Sequence, residues 1–428
     1  MTETGKSSFG RILLLAIIYF LYIYSFQIPG LPHGIVFYRV AVVLLFAYTC
    51  MSSNMKAVAI GSSVTSKMVK KYLWWNVFLC LYVLFLLSIY GSGDGITPIP
   101  RFINMLIVLP LFFITGKYIF RNVDELMRVL YIGCVIQAII IILATTIPAL
   151  ETALKLFFLG SSDLEELDKV ERMISSGYNI GFQCFTSQGS LKMAVGEIGA
   201  CYILMKDNGK KFFINLLLFL VITFASSLLS RTGLFISIAC LLVVLLNKRK
   251  QGVKGYTSAI IIILIAYLLS SFILSSFSSN SYLSEKFNRY VSLFSEGGGE
   301  AYFLDWGGQG SGDNVIPPLS FETLIGLGIE KGVSGTGIRT IVDGGFLSNY
   351  SSIGLIATII NYLIIFSFII RQYKFTKDQK YKGVIVIFLI ILIMGEIKEH
   401  FVHQLYFMCL MFLFFYLSEK DNHYLTGK

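Results

Sequence analysis

Arg289, Arg339 and Asp343 lie in the longest polar stretch of the chain, residues 277–349, and Arg172 lies in a second polar stretch, 148–188. Arginine is always ionised and grips phosphate oxygens with paired donors. Fixed arginines in a poorly hydrated cleft can stabilise a departing diphosphate as a divalent ion does elsewhere. A carboxylate within hydrogen-bond reach can take the proton of an attacking hydroxyl. Asp343, shortly after Arg339, is the best-placed base, and no Asp-x-Asp metal motif occurs anywhere. These residue types describe group transfer from an anionic donor to a hydroxyl.

What must position them is a membrane. Of 428 residues, 55% are apolar, 15% aromatic and only 14% charged, far from soluble averages. Apolar runs of roughly 15 to 21 residues recur throughout, most of them long enough to cross a hydrocarbon layer as helices. About twelve are expected, near 12–29, 34–51, 72–90, 102–120, 128–147, 189–205, 212–229, 232–246, 256–276, 350–370, 383–397 and 401–418. The first follows Lys6 and Arg11 without a cleavage site after it, and reads as a retained helix. The fold class is therefore all-α, a polytopic integral membrane protein with two large loops.

Basic residues orient it. With alternating spans, one side holds most of the 35 lysines and arginines and few of the 25 acids, so that side is cytoplasmic and both termini fall there. Lys67 to Lys71 and Lys248-Arg249-Lys250 are topology signals, and nucleic-acid binding is not implied by a pI near 9.1. The stretches 148–188 and 277–349 are then extracytoplasmic. Of seven cysteines only Cys184 lies in a sizeable outer loop, so no disulfide framework is available. His400 and His403, with Glu396 and Glu399, have helical ligand spacing, but a polar cap on a helical hairpin is the better account than zinc.

In the first outer loop, Ser162 to Glu165 has capping-box spacing and Leu164, Leu167, Val170 and Ile174 recur at helical intervals, which predicts an interfacial helix over 162–175. Arg172 could serve a ligand or simply pair with Asp168. Tyr178 to Gln188 reads as irregular backbone re-entering the membrane, with Tyr178 a candidate ligand contact. In the second loop, Leu283, Phe287, Tyr290 and Phe294 predict another interfacial helix, followed by a glycine-dense flap. Its Trp306 could stack on a sugar or anchor in headgroups. Gly332 to Gly337 lacks the Lys-Ser/Thr of a P-loop and predicts a tight turn before Arg339. Arg39, inside the second span, could snorkel or bind an anion, and Arg231 at the outer tip of a helical hairpin carries the same two readings. Glu197, midway along a span, is either functional or a hydrogen-bonded element of the bundle.

The text Leu228-Leu229-Ser230-Arg231-Thr232-Gly233, between two close spans, resembles the Ser-Arg-Thr signature of the O-antigen polymerase and ligase superfamily. The run from Gly335 through Arg339 and Asp343-Gly344-Gly345-Phe346 to Gly354 is similar to the end of that family's large periplasmic loop. The resemblance implies a GT-C-like glycosyltransferase that needs no cofactor. Its donor would be an undecaprenyl-diphosphate-linked oligosaccharide, polymerised into O-antigen or capsular polysaccharide at the outer face of the bacterial cytoplasmic membrane. Besides membrane lipids, a repeat-unit flippase and a chain-length regulator are the implied partners. Arg172 and Arg289 resemble the family's loop arginines by order and context. The ligase branch has His-Asn where this chain has Asp343-Gly344, and the large loop holds no histidine, which favours the polymerase. A ligase or a polysaccharide flippase are the competing readings. A transporter would place its binding groups at the midplane with internal repeats, whereas ionisable groups here cluster on one face.

Overall fold

The computed structural model describes residues 9–24, 37–52, 63–159, 180–181, 184–249, 317–340, 344–398 and 401–426. They are overwhelmingly helical: α1 (Phe9–Ile23), α2 (Phe37–Ser52), α3 (Val64–Tyr90), α4 (Ile99–Ile119), α5 (Val123–Thr146) and α6 (Pro148–Leu159) come first. A minimal hairpin follows, β1 (Ile180–Gly181) with β2 (Cys184–Phe185), then α7 (Thr186–Lys206), α8 (Gly209–Leu229) and α9 (Arg231–Arg249). After the short α10 (Phe321–Ile325) come β3 (Gly332–Val333), β4 (Arg339–Thr340), α11 (Gly345–Phe375) and α12 (Gln379–Lys398). A 3₁₀ turn (Phe401–His403) leads into α13 (Leu405–Thr426).

Among the described residues, six helices are long and apolar enough to cross a membrane: α3, α4, α5, α8, the part of α9 from Thr232, and α11. Their outward surfaces fit that solvent. On α11, Ile356, Ile359, Leu363 and Ile370 are exposed at helical spacing, and on α3 Leu81, Leu84, Phe85 and Ile89 are. Such apolar stripes suit lipid rather than water. The expected span 256–276 and parts of 12–29 and 34–51 lie outside the described residues; the described parts of the other expected spans each overlap a helix.

Boundaries differ where local chemistry overrides hydropathy. The expected third span starts at residue 72, but α3 begins at Val64, because Ser63 caps it by accepting a hydrogen bond from the Ser66 N–H at 3.0 Å. The lysine cluster 67–71 is therefore helical. The stretch 148–188 opens with α6, which has Pro148 at its first position, where a missing N–H costs nothing. Within the expected irregular segment 178–188, Ile180 pairs with Phe185 before α7 starts at Thr186.

The chain divides into two compact units. In the first (1–44, 122–296, 378–391), α5 and α7 form the centre, with α1 and α8 packed on α5, and α8 and α9 on α7. In the second (45–121, 297–377, 392–428), α3 packs on α4, α11 and α13, and α13 also packs on α4. The core of this second unit is aromatic: Phe407, Phe412, Phe414 and Phe415 of α13 are fully buried, and Tyr72 meets Phe412 at 5.6 Å. Polar ties fix the helix ends. The Glu419 carboxylate accepts from the Val64 and Thr65 N–H groups at 2.9 and 3.0 Å, satisfying donors that a helix start leaves open.

Candidate functional site

The second unit holds a continuous polar chain at the ends of its helices. Arg101 stands in the first turn of α4, after Pro98 and Pro100. Its Nη2 forms an ion pair with Glu330 Oε1 at 2.8 Å and donates a hydrogen bond to Asn349 Oδ1 at 3.3 Å. Asn349 Nδ2 donates to the Tyr362 hydroxyl at 2.8 Å, and that hydroxyl donates to Glu396 Oε2 at 2.6 Å. The Val402 N–H donates to the other oxygen of Glu396. From Arg101 through Asn349 and Tyr362 to Glu396 the hydrogen bonds point the same way, so each polarises the next. Asn349 and Glu396 are buried, at 0% and 1% exposure; polar groups taken so far from water persist because they are bonded.

Backbone pairing delivers the members of this chain. Ile96 and Lys331 form an antiparallel bridge, with the Glu330 N–H donating to Ile96 O at 2.7 Å and the Ile96 N–H to Lys331 O at 2.8 Å. The α3–α4 connection thus holds Glu330 beside Arg101. Burial lifts the Glu330 carboxyl above the usual carboxylate range, and Arg101 and Lys331 pull it part of the way back. The β3–β4 hairpin continues from there, closing over Ser334 to Ile338. That is the tight turn expected before Arg339, and the close approach of Gly335 to the Tyr90 carbonyl leaves no room for a side chain. Arg339 itself is exposed on β4.

The segment between α10 and the hairpin is docked onto α11 at a break. Gly354 takes φ +81°, which interrupts the helix and frees the Ser351 and Ser352 carbonyls to accept from the Leu327 and Gly328 N–H groups at 2.8 and 3.0 Å. A Cβ at Gly354 would lie 2.3 Å from the Ile325 carbonyl oxygen. Only glycine satisfies both demands.

In the first unit, Ser230 separates α8 from α9, so Arg231 opens α9. The Ser190 and Ser230 hydroxyls lie 2.7 Å apart, and Ser237 donates to Glu197 Oε1 at 2.7 Å. Ser190 and Glu197 of α7 thus meet Ser230 and Ser237, respectively, in a polar seam between helices, with only Oε1 of Glu197 bonded. That accounts for the hydrogen-bonded reading of this carboxylate.

Of the residues selected from sequence, Arg172, Tyr178, Arg289, Trp306 and Asp343 lie outside the described residues. Arg39 sits on α2 and Arg231 on α9, with only their backbones described, and Arg339 is placed on the hairpin. Among the described residues, no group of three His, Cys, Asp or Glu side chains is arranged to hold a metal ion.

Arg101, Glu330, Asn349 and Tyr362 are residues that sequence reasoning passed over, and Glu396 entered it only as part of a polar cap on a helical hairpin. Two signals pointed to them. Arg101 is a basic residue on the side assigned outward, where such residues are scarce, and Glu396 is a carboxylate within a span. Searches against protein-family models and curated protein sequences find no match to this chain.

Proposed function

We propose that this protein is a glycosyltransferase of the bacterial cytoplasmic membrane. In this reading it polymerises oligosaccharide repeat units carried on undecaprenyl diphosphate into O-antigen or capsular polysaccharide at the outer face. Support comes from the apolar helices, from the family-like runs Leu228–Gly233 and Gly335–Gly354, and from one observation that carries most weight. A partly buried arginine, Arg101, is fixed at the helix ends by a polar network whose Asn349 belongs to the second of those runs.

The chemistry follows from residue types. Arg172, Arg289 and Arg339 hold the diphosphate as the bond between the anomeric carbon and its phosphate oxygen breaks, with Arg231 and Arg39 as further anion contacts. Asp343 takes the proton from the acceptor hydroxyl as the new glycosidic bond forms. Guanidinium groups supply the charge stabilisation, so the scheme uses neither metal nor cofactor. Tyr178 and Trp306 supply faces for sugar rings.

The direct assay is the purified protein in vesicles with labelled lipid-linked repeats, read as a ladder on a gel. Arg172→Ala, Arg289→Ala and Asp343→Ala should each leave protein in the membrane and collapse the product to one repeat. Long chains from all three variants would refute the assignment.

A further inference from the structure

Three helix N-termini meet in the second unit. Arg101 occupies the first turn of α4, Asn349 lies in the opening turns of α11, and His403 immediately precedes α13. Arg101 bonds to Asn349 at 3.3 Å. The Arg101 guanidinium carbon lies 5.6 Å and the His403 ring centre 5.1 Å from the centre of the Phe102 ring. Each helix start carries partial positive charge and open N–H groups. Gathered at one place, they favour an anion.

An independent observation points the same way. His403 is 3% exposed, yet neither ring nitrogen has a hydrogen-bond partner. Arg101 Nε and Nη1 are likewise buried without partners, because Glu330 and Asn349 engage only Nη2. Buried donors without partners are costly and rare, and these flank a single aromatic ring. Arg101 cannot shed its charge, and its donors match phosphate oxygens in type.

We propose that this convergence of α4, α11 and α13 is a binding site for phosphate oxygens, with Arg101 and His403 as side-chain donors and Glu330 and Asn349 as the residues that position Arg101. It rests on the proposed function only for the source of the anion, the diphosphate of a polyprenyl-linked sugar rather than free pyrophosphate. Neither Arg101 nor His403 is among the residues assigned above to the reacting diphosphate; the site would hold the second diphosphate of the reaction, the one that carries the acceptor unit.

The test uses the full-length protein in detergent, with inorganic pyrophosphate and a short-chain polyprenyl diphosphate as probes, followed by calorimetry and thermal shift. Both probes should bind wild type and raise its unfolding temperature. Arg101→Gln and His403→Gln should each weaken binding by roughly tenfold or more, as expected for loss of a charge-assisted or buried hydrogen bond. Lys374→Gln, in the last turn of α11, should bind as wild type. Should Arg101→Gln not fold, Arg101→Lys keeps the charge and should bind measurably but more weakly. Tighter binding of the polyprenyl probe supports the lipid source, and equal binding of the two overturns it while leaving the anion site standing. No binding by wild type, or undiminished binding by both variants, overturns the site. The gel ladder separates the two claims. Probe binding without polymer formation removes the proposed function and not the site; wild-type ladders from Arg101→Gln remove the site and not the function.

Discussion

The Tyr362 hydroxyl and the Glu396 carboxylate, 34 residues apart in sequence, meet at 2.6 Å in the interior of the second unit. This bond ties the lipid-facing α11 to the end of α12, and through Asn349 it reaches Arg101. Tyr362→Phe keeps the ring packed 4.7 Å from Phe346 and removes only the hydroxyl. It should cost about 1–3 kcal/mol, because Glu396 loses its donor while buried. In a double-mutant cycle with Glu396→Gln, thermal unfolding in detergent should reveal coupling of about 1 kcal/mol or more. Additive effects would mean the two residues do not act together.

Glu330 gives the protein a pH dependence of defined sign. Burial raises its folded-state pKa above the unfolded value despite Arg101 and Lys331. The folded state therefore binds the proton more tightly, and the stability this lends is complete below the unfolded pKa and lost as pH rises through the folded one. Thermal midpoints of wild type should fall, relative to Glu330→Gln, across the range just above ordinary carboxylate titration. Parallel pH curves for the two proteins would contradict this.

Two glycine substitutions should move stability in opposite directions. At Gly354 a side chain meets both a φ of +81° and the Ile325 carbonyl at 2.3 Å, so Gly354→Ala should destabilise by about 2 kcal/mol or more. At Gly10 in α1 an added Cβ has nothing within 4 Å. Gly10→Ala should be neutral or stabilise by up to about 1 kcal/mol. Chemical unfolding of both variants beside wild type checks the pair.

Glu419 acts as a cap supplied from outside its own helix. Its two oxygens accept from the Val64 and Thr65 N–H groups and from the Thr65 hydroxyl at 2.9 Å. Glu419→Ala should cost about 1–2 kcal/mol, in the range of other lost caps, and should speed amide exchange over the first turn of α3. Unchanged exchange at Val64 and Thr65 would show that the carboxylate is dispensable there.

Helices were legible because membrane solvent demands long apolar runs, and those runs fall on α1 to α5, α7 to α9 and α11 to α13. Their ends were less so, since Ser63 and Pro148 set boundaries by capping chemistry that hydropathy averages away. The turn before Arg339 was legible from its glycines. The polar network was not. Arg101 and Asn349 stand 248 residues apart, and nothing local in either segment announces its partner. Glu396 obeys the same rule that drew attention to Glu197, yet its place near a helix end and beside two histidines suggested only a polar cap on a helical hairpin. Among the expected catalytic residues, Arg172, Arg289 and Asp343 fall outside the described residues, so their grouping rests on chemistry and resemblance.

The break at Gly354 also solves a problem of thickness. An unbroken helix of 31 residues would be about 46 Å long, against a hydrocarbon layer of roughly 30 Å. Divided at Gly354, the part beyond it runs for about 21 residues, close to 31 Å, and carries the oil-facing stripe. The shorter piece before it, with Ser348, Asn349, Ser351 and Ser352 all buried, need not share the direction of the longer one. Tilt or local thinning of the lipid, the usual remedies for mismatch, are not needed at this helix.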